Sequence, residues 1–202
     1  MSRDKLIAGG LFALGLAALG AMALPQFVQP AMAQDGPGPN LVIEVAGVAN
    51  GQVVIDLRDD LAPKHVAQIT ALAKEGAYDN VVFHRVIDGF MAQTGDVQNG
   101  KAGGDLSMAG MGGSSLPDLA AEFSGESFQR GTVGMARSMD PNSANSQFFI
   151  MFAPAPHLDG QYTVVGQVVA GMDVVDAIKR GDAGLNGVVA DPDMMKKVSV
   201  TE

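Results

Sequence analysis

After residue 40 the chain is made mostly of short apolar stretches separated by glycine-rich turns, and only two segments switch to helical spacing. LVIEVAG (41–47) and GQVVIDL (51–57) flank Asn50-Gly51, a dipeptide that favours tight hairpins, so two tightly joined antiparallel strands are predicted. From about 61 to 74, Val66, Ile69, Leu72 and Ala73 recur at helical intervals. Asp59, Asp60 and Pro63 stand at the start and Gly76 at the stop, which is the pattern of one amphipathic helix. Short strands follow at NVVFHRVI, FMAQTGD, GTVGMAR, SQFFIMF and YTVVGQVV, then a second helix at MDVVDAIKR and a closing strand at MKKVSVTE. Many short strands with only two helices argue for a closed or sandwiched antiparallel sheet rather than an alternating β-α-β fold.

Strand alternation assigns faces. In SQFFIMF, Phe148, Ile150 and Phe152 form an unbroken apolar face suited to a core, which turns Gln147, Phe149 and Met151 the other way. In NVVFHRVI, extension throughout would put Val81, Phe83, Arg85 and Ile87 on one face and Val82, His84 and Val86 on the other. Arg85 is then a permanent charge in an apolar run, which must be paired, reach water or meet a ligand. The segment 100–118, GKAGGDLSMAGMGGSSLPD, has no period and reads as a long loop, either a functional element or a tolerated surface insertion.

The first 33 residues read differently. A charged start, MSRDK, precedes an uncharged run from Leu6 to Leu24, and Ala31-Met32-Ala33 offers a small-x-small cleavage site before Gln34. An export signal over 1–33 is predicted, with the periplasm as destination. The alternative is an uncleaved inner-membrane anchor facing the periplasm, because the run is near the ~17 residues a span requires. QDGPGPN (34–40) is expected to be a flexible lead into one domain, 41–202.

Composition narrows the chemistry. With 47% hydrophobic and 17% charged residues, the chain can bury a core and is not of disordered composition. The net charge of −9 opposes nucleic acid or an anionic membrane surface as the main partner. There is no cysteine, hence no thiol nucleophile, thiolate metal site or disulfide. His65, His84 and His157 lack metal-ligand spacing, and no nucleophile elbow or phosphate loop is present, so neither metal nor cofactor is expected.

Two long motifs carry a specific resemblance. FHRVIDGFMAQTGD (83–96) and GTVGMARSMDPNSANSQFFIMFAPAPHLDGQYTVVGQVVAGMDVVDAI (131–178) resemble, in order and spacing, the cyclophilin family of peptidyl-prolyl cis-trans isomerases, in a bacterial exported form. The resemblance implies a mainly β fold, an eight-stranded antiparallel closed barrel capped by two α-helices, with the active groove on the outer face of the sheet. It implies rotation of X-Pro bonds in unfolded exported proteins, assisting their folding, by a monomer without a cofactor. Arg85 matches the catalytic arginine, and Gln147 the residue that helps orient it. Phe90, Met91, Gln93, Phe149 and Leu158 match groove positions. Ala136 and Arg137 stand where the family usually has Ala-Asn, so the backbone at 137 can still bond a peptide. His157 stands where many eukaryotic members have a tryptophan, and Tyr162 where they have a histidine. SMDPN (138–142) is one residue longer than the common form, and 100–118 departs from it. A non-catalytic proline-peptide binder or holding chaperone on the same fold is the alternative, although such a protein has no need of the arginine.

Overall fold

The computed structural model describes residues 35–201. The predicted export signal or anchor, 1–33, lies outside the described residues. Among those described, no helix is long and apolar enough to cross a membrane.

Among the described residues, nine strands and two α-helices follow one another as β1 (Asn40–Ala46), β2 (Gly51–Leu57), α1 (Pro63–Lys74), β3 (Val81–Val82), β4 (Arg85–Ile87), β5 (Met91–Thr94), β6 (Thr132–Met135), β7 (Phe148–Met151), β8 (Val164–Ala170), α2 (Met172–Ala177) and β9 (Met194–Thr201). They form a single antiparallel sheet in the order β3-β9-β1-β2-β8-β6-β7-β5-β4. The sheet curls strongly, because its two outermost strands, β3 and β4, are separated in the chain only by Phe83 and His84.

That break corrects two expectations. The pattern of NVVFHRVI predicts one strand of eight, whereas its first part pairs with β9 and its last part with β5, giving nine among the described residues. At the change of partner the alternation slips: Val81, Phe83 and Val86 all join the interior core, while Ile87 packs against the opposite face. Phe83 therefore does not share a face with Arg85. A two-residue gap between ladders removes the pairing that would enforce a period of two.

The two faces of the sheet each gather an apolar cluster. Phe148, Ile150, Phe152, Ala92 and Val133 fill the interior with Leu41, Ile43 and Ile55. Met91, Phe149, Met151, Phe128, Leu158 and Val164 form a second, smaller cluster on the outside, as the alternation in SQFFIMF requires.

The first hairpin is looser than Asn50-Gly51 suggests. Gly51 is already in β2, opposite Val45, and residues 47–50 make a four-residue connection. Asn50 Nδ2 closes it by donating to Gly47 O (2.6 Å), and Asp193 Oδ1 accepts from Ala49 N (3.1 Å). The remote carboxylate holds this turn in place of the local dipeptide. Pairing also starts at Asn40, and Pro39 O accepts from Leu57 N (3.0 Å), so the end of the predicted lead is tied to β2.

Helix α1 begins at Pro63, with no acid in its first turn. Asp60 is occupied by Arg58 (2.7 Å). The first-turn N–H groups of Lys64 and His65, which have no partner within the helix, instead donate to Glu122 Oε2 (3.1 Å each), which also meets His65 Nδ1 at 2.7 Å. A carboxylate from a distant loop thus does the work of a helix cap.

Candidate active site

Strand register assembles the site. Arg85 on β4 is opposite Gln93 on β5, Gln93 is opposite Phe149 on β7, and Phe149 is opposite Gly134 on β6. Four neighbouring strands thus present one row across the outer face. The next row holds Ile87, Met91 and Met151. A cation, an amide and a ring stand side by side over an apolar floor.

Gly134 makes room for the ring. A Cβ there would sit 2.6 Å from ring carbons of both Phe128 and Phe149, so a glycine is needed for Phe128 and Phe149 to stack beside β6 (centroids 5.8 Å, 22°). Tyr162 meets Phe149 edge-on (5.8 Å, 84°), and the Arg137 guanidinium lies 4.3 Å above the Tyr162 ring. Arg137 also donates to Ser138 O and Gln161 O (2.9 Å each), bridging two loops at the rim.

Arg85 is held on three sides. Its Nε donates to Asn186 O (3.0 Å), its Nη2 to Asn186 Oδ1 (3.0 Å) and its Nη1 to Gln93 Oε1 (3.2 Å). A guanidinium has five N–H donors, so two are left over after these three bonds. Burial lowers the proton affinity of Arg85 from its ordinary value, with Tyr162 acting weakly the other way. A guanidinium nevertheless stays charged at physiological pH.

Asn186 reaches the site because loop 178–192 runs along the free edge of β4. Val86 N donates to Gly187 O (2.8 Å) and Val189 N to His84 O (3.1 Å). Asn186 itself adopts a left-handed conformation (φ 54°), one that asparagine tolerates better than most residues.

Arg85, Phe90, Met91, Gln93, Ala136, Arg137, Phe149, Leu158 and Tyr162, all singled out from the sequence, line one cavity of about 190 Å³. His157 and Gln147 stand outside it. His157 is exposed and stacks on Phe90 at the rim (5.8 Å, 27°). Gln147 lines an adjoining cavity of about 300 Å³, which shares Gln93, Ala136 and Arg137 with the first.

Gln147 does not touch Arg85 directly. Its Oε1 accepts from Gln93 Nε2 (2.9 Å), so any orienting influence passes through Gln93. The other end of the Gln147 amide donates to Gly110 O (3.0 Å) and Gly112 O (2.7 Å) in the long loop. From beneath, Asp96 Oδ2 accepts from Gly110 N (2.7 Å) and Gly112 N (2.9 Å). Segment 100–118 is therefore fastened to the site rather than draped over the surface. Asn186, Gly134 and Asp96 were not singled out from the sequence.

Known proteins resemble this chain over most of its length. A family model described as cyclophilin type peptidyl-prolyl cis-trans isomerase/CLD matches residues 41–200. A Brucella suis protein named "Probable peptidyl-prolyl cis-trans isomerase" is 58% identical over 175 residues, spanning 86% of this chain and 87% of its own length. A crystal structure of a Cryptosporidium parvum cyclophilin type isomerase, obtained in the presence of the dipeptide Ala-Pro, superposes with a TM-score of 0.68 at 25% identity. It covers 81% of this chain and 99% of its own. A cyclophilin from Hirschia baltica superposes with a TM-score of 0.64 at 26% identity, covering 79% of this chain and 72% of its own. With the outer-face groove, the curled sheet and a match over nearly all the described residues, the chain belongs to the cyclophilin-type peptidyl-prolyl cis-trans isomerases.

Proposed function

We propose that the 190 Å³ cavity holds the ring of a substrate proline while Arg85 stabilises the twisted amide, and that the substrates are unfolded exported proteins. The cavity is smaller than the ~300 Å³ at which drug-sized ligand pockets begin, which suits one small ring. Met91, Phe149 and Leu158 supply its apolar walls.

Rotation about an X-Pro bond meets a barrier of about 18–20 kcal/mol because amide resonance must be broken. At the twisted geometry the proline nitrogen becomes pyramidal and gains a lone pair. A cation or N–H donor directed there is worth more in the transition state than in either planar isomer. The two uncommitted N–H donors of Arg85, bordering the same cavity as the apolar side chains of Met91, Phe149 and Leu158, are the observation that carries this reading. Phe90, Met91, Phe149 and Leu158 hold the ring, Gln93 and the backbone at Arg137 anchor the flanking peptide, and Gln147 steadies Gln93. His157 and Tyr162 shape the rim.

The reading extends to fold and location. The fold is read as an eight-stranded closed barrel capped by α1 and α2, a reading supported by the pairing of β3 with β9 and of β4 with β5 if residues 81–87 are taken as one interrupted strand. The protein acts as a monomer in the periplasm, a location supported by the apolar run 6–24 and the Ala31-Met32-Ala33 site. Exchange NMR on a proline tetrapeptide tests the activity: substoichiometric protein should speed cis-trans exchange, and exchange at the uncatalysed rate would refute the reading. N-terminal sequencing of the protein from a periplasmic fraction should begin at Gln34, and recovery from membranes with Met1 intact would favour the anchor.

A further inference from the structure

Arg85 and Gln93 border a third cavity, of about 320 Å³, that the proposed reaction does not use. Leu106, Ala109 and Met111 of the long loop form one side, and Val188 and Pro192 another. Met111 is 77% exposed and Val188 55%, so two apolar side chains at its walls are accessible to a ligand. At the base lies His84, 7% exposed, with neither ring nitrogen partnered among the described residues. Burial lowers its proton affinity, against the pull of Asp96, so the base is a neutral ring rather than a cation.

We propose that this cavity is a second substrate pocket, taking one large apolar side chain of the same peptide whose proline ring fills the 190 Å³ cavity. The inference rests on the isomerase reading above and adds a substrate preference to it. Continuity supports a single occupant, because Arg85 and Gln93 are walls of both cavities and one short peptide can fill the two together. Chemistry selects an apolar group, since the loop and the 188–192 segment offer mainly carbon, and the two N–H donors that Arg85 keeps after bonding Asn186 and Gln93 are those assigned to the proline amide. The pocket is also prebuilt: Asp96 and Gln147 hold Gly110 and Gly112 from two sides, so filling it requires little ordering of the loop.

The test uses peptides of alanine around one proline, with phenylalanine placed in turn at each of the neighbouring positions on either side. kcat/KM is measured by exchange NMR on the wild-type protein and on Ala109→Leu and Leu106→Asp. Neither residue lines the proline cavity, so both variants should turn over the all-alanine peptide at the wild-type rate. Phenylalanine at one position should raise kcat/KM about tenfold through a lower KM, the scale of burying one large apolar side chain. Both variants should lose that gain. A gain at no position, or one retained in both variants, overturns the pocket while leaving the isomerase reading intact. Failure of the wild type to turn over any peptide would instead refute that reading, and this inference with it.

Discussion

Asn186→Gly isolates one of the contacts that aim Arg85. The substitution removes only the Oδ1 acceptor, leaving the Asn186 carbonyl in place, and glycine accepts the left-handed φ of 54° at no steric cost. What is lost is one hydrogen bond to a guanidinium at a partly water-exposed position, with Gln93 and the backbone still holding Nη1 and Nε. Such a bond contributes a net ~1 kcal/mol, and if it serves the transition state the loss appears as an about fivefold lower kcat/KM, carried by kcat. Thermal stability should fall by no more than ~1 kcal/mol, the net worth of the one bond removed. Exchange NMR at several peptide concentrations separates kcat from KM, and a thermal melt reads the stability. An unchanged kcat/KM would refute Asn186 as a positioning residue, and a fall in KM-controlled binding alone would place it on the peptide rather than on Arg85.

Three further outcomes follow from the packing. Gly134→Ala forces Phe128 and Phe149 from their stacked positions and should cost ~1–3 kcal/mol of stability together with a raised KM; a full-affinity variant would show that Phe149 does not form the proline cavity. Val66→Ala, in the interior core and away from the groove, should cost ~1–3 kcal/mol in denaturant unfolding while leaving kcat/KM at the wild-type value. Burial pushes the Glu122 carboxyl up, but its bonds from His65 and the Lys64 N–H outweigh this and hold it below the ordinary carboxylate range. Its contribution is therefore complete above the unfolded-state value and is lost as pH falls through the lower folded value. Melts followed from neutral pH downward should show a shallower acid loss for Glu122→Gln, which should also lose ~1 kcal/mol at neutral pH, the scale of a helix cap.

What the sequence made legible was whatever strand alternation controls. SQFFIMF divides between the two apolar clusters as its pattern predicts, and Gln93 and Phe149 stand on the same face because their strands pair in register. The family resemblance then placed nine residues around one cavity. The misses share a cause. Asn186 is 101 positions from Arg85 and lies in a turn without a period, so no local pattern connects them. Glu122 and Asp193 act on a helix start and a hairpin from far along the chain, displacing the local signals at Asp59-Asp60 and Asn50-Gly51. The phase slip at Phe83-His84 arises because β3 and β4 belong to different ladders, a property of the curled sheet and not of the segment.

The central claim is that Arg85 lowers the barrier to proline isomerisation, and the direct measurement compares wild type with Arg85→Ala by exchange NMR on one proline tetrapeptide. kcat/KM should fall tenfold or more, corresponding to ~1.4 kcal/mol or more of lost transition-state stabilisation, with the melting temperature of the variant close to that of the wild type. Equal rates for the two proteins would contradict it.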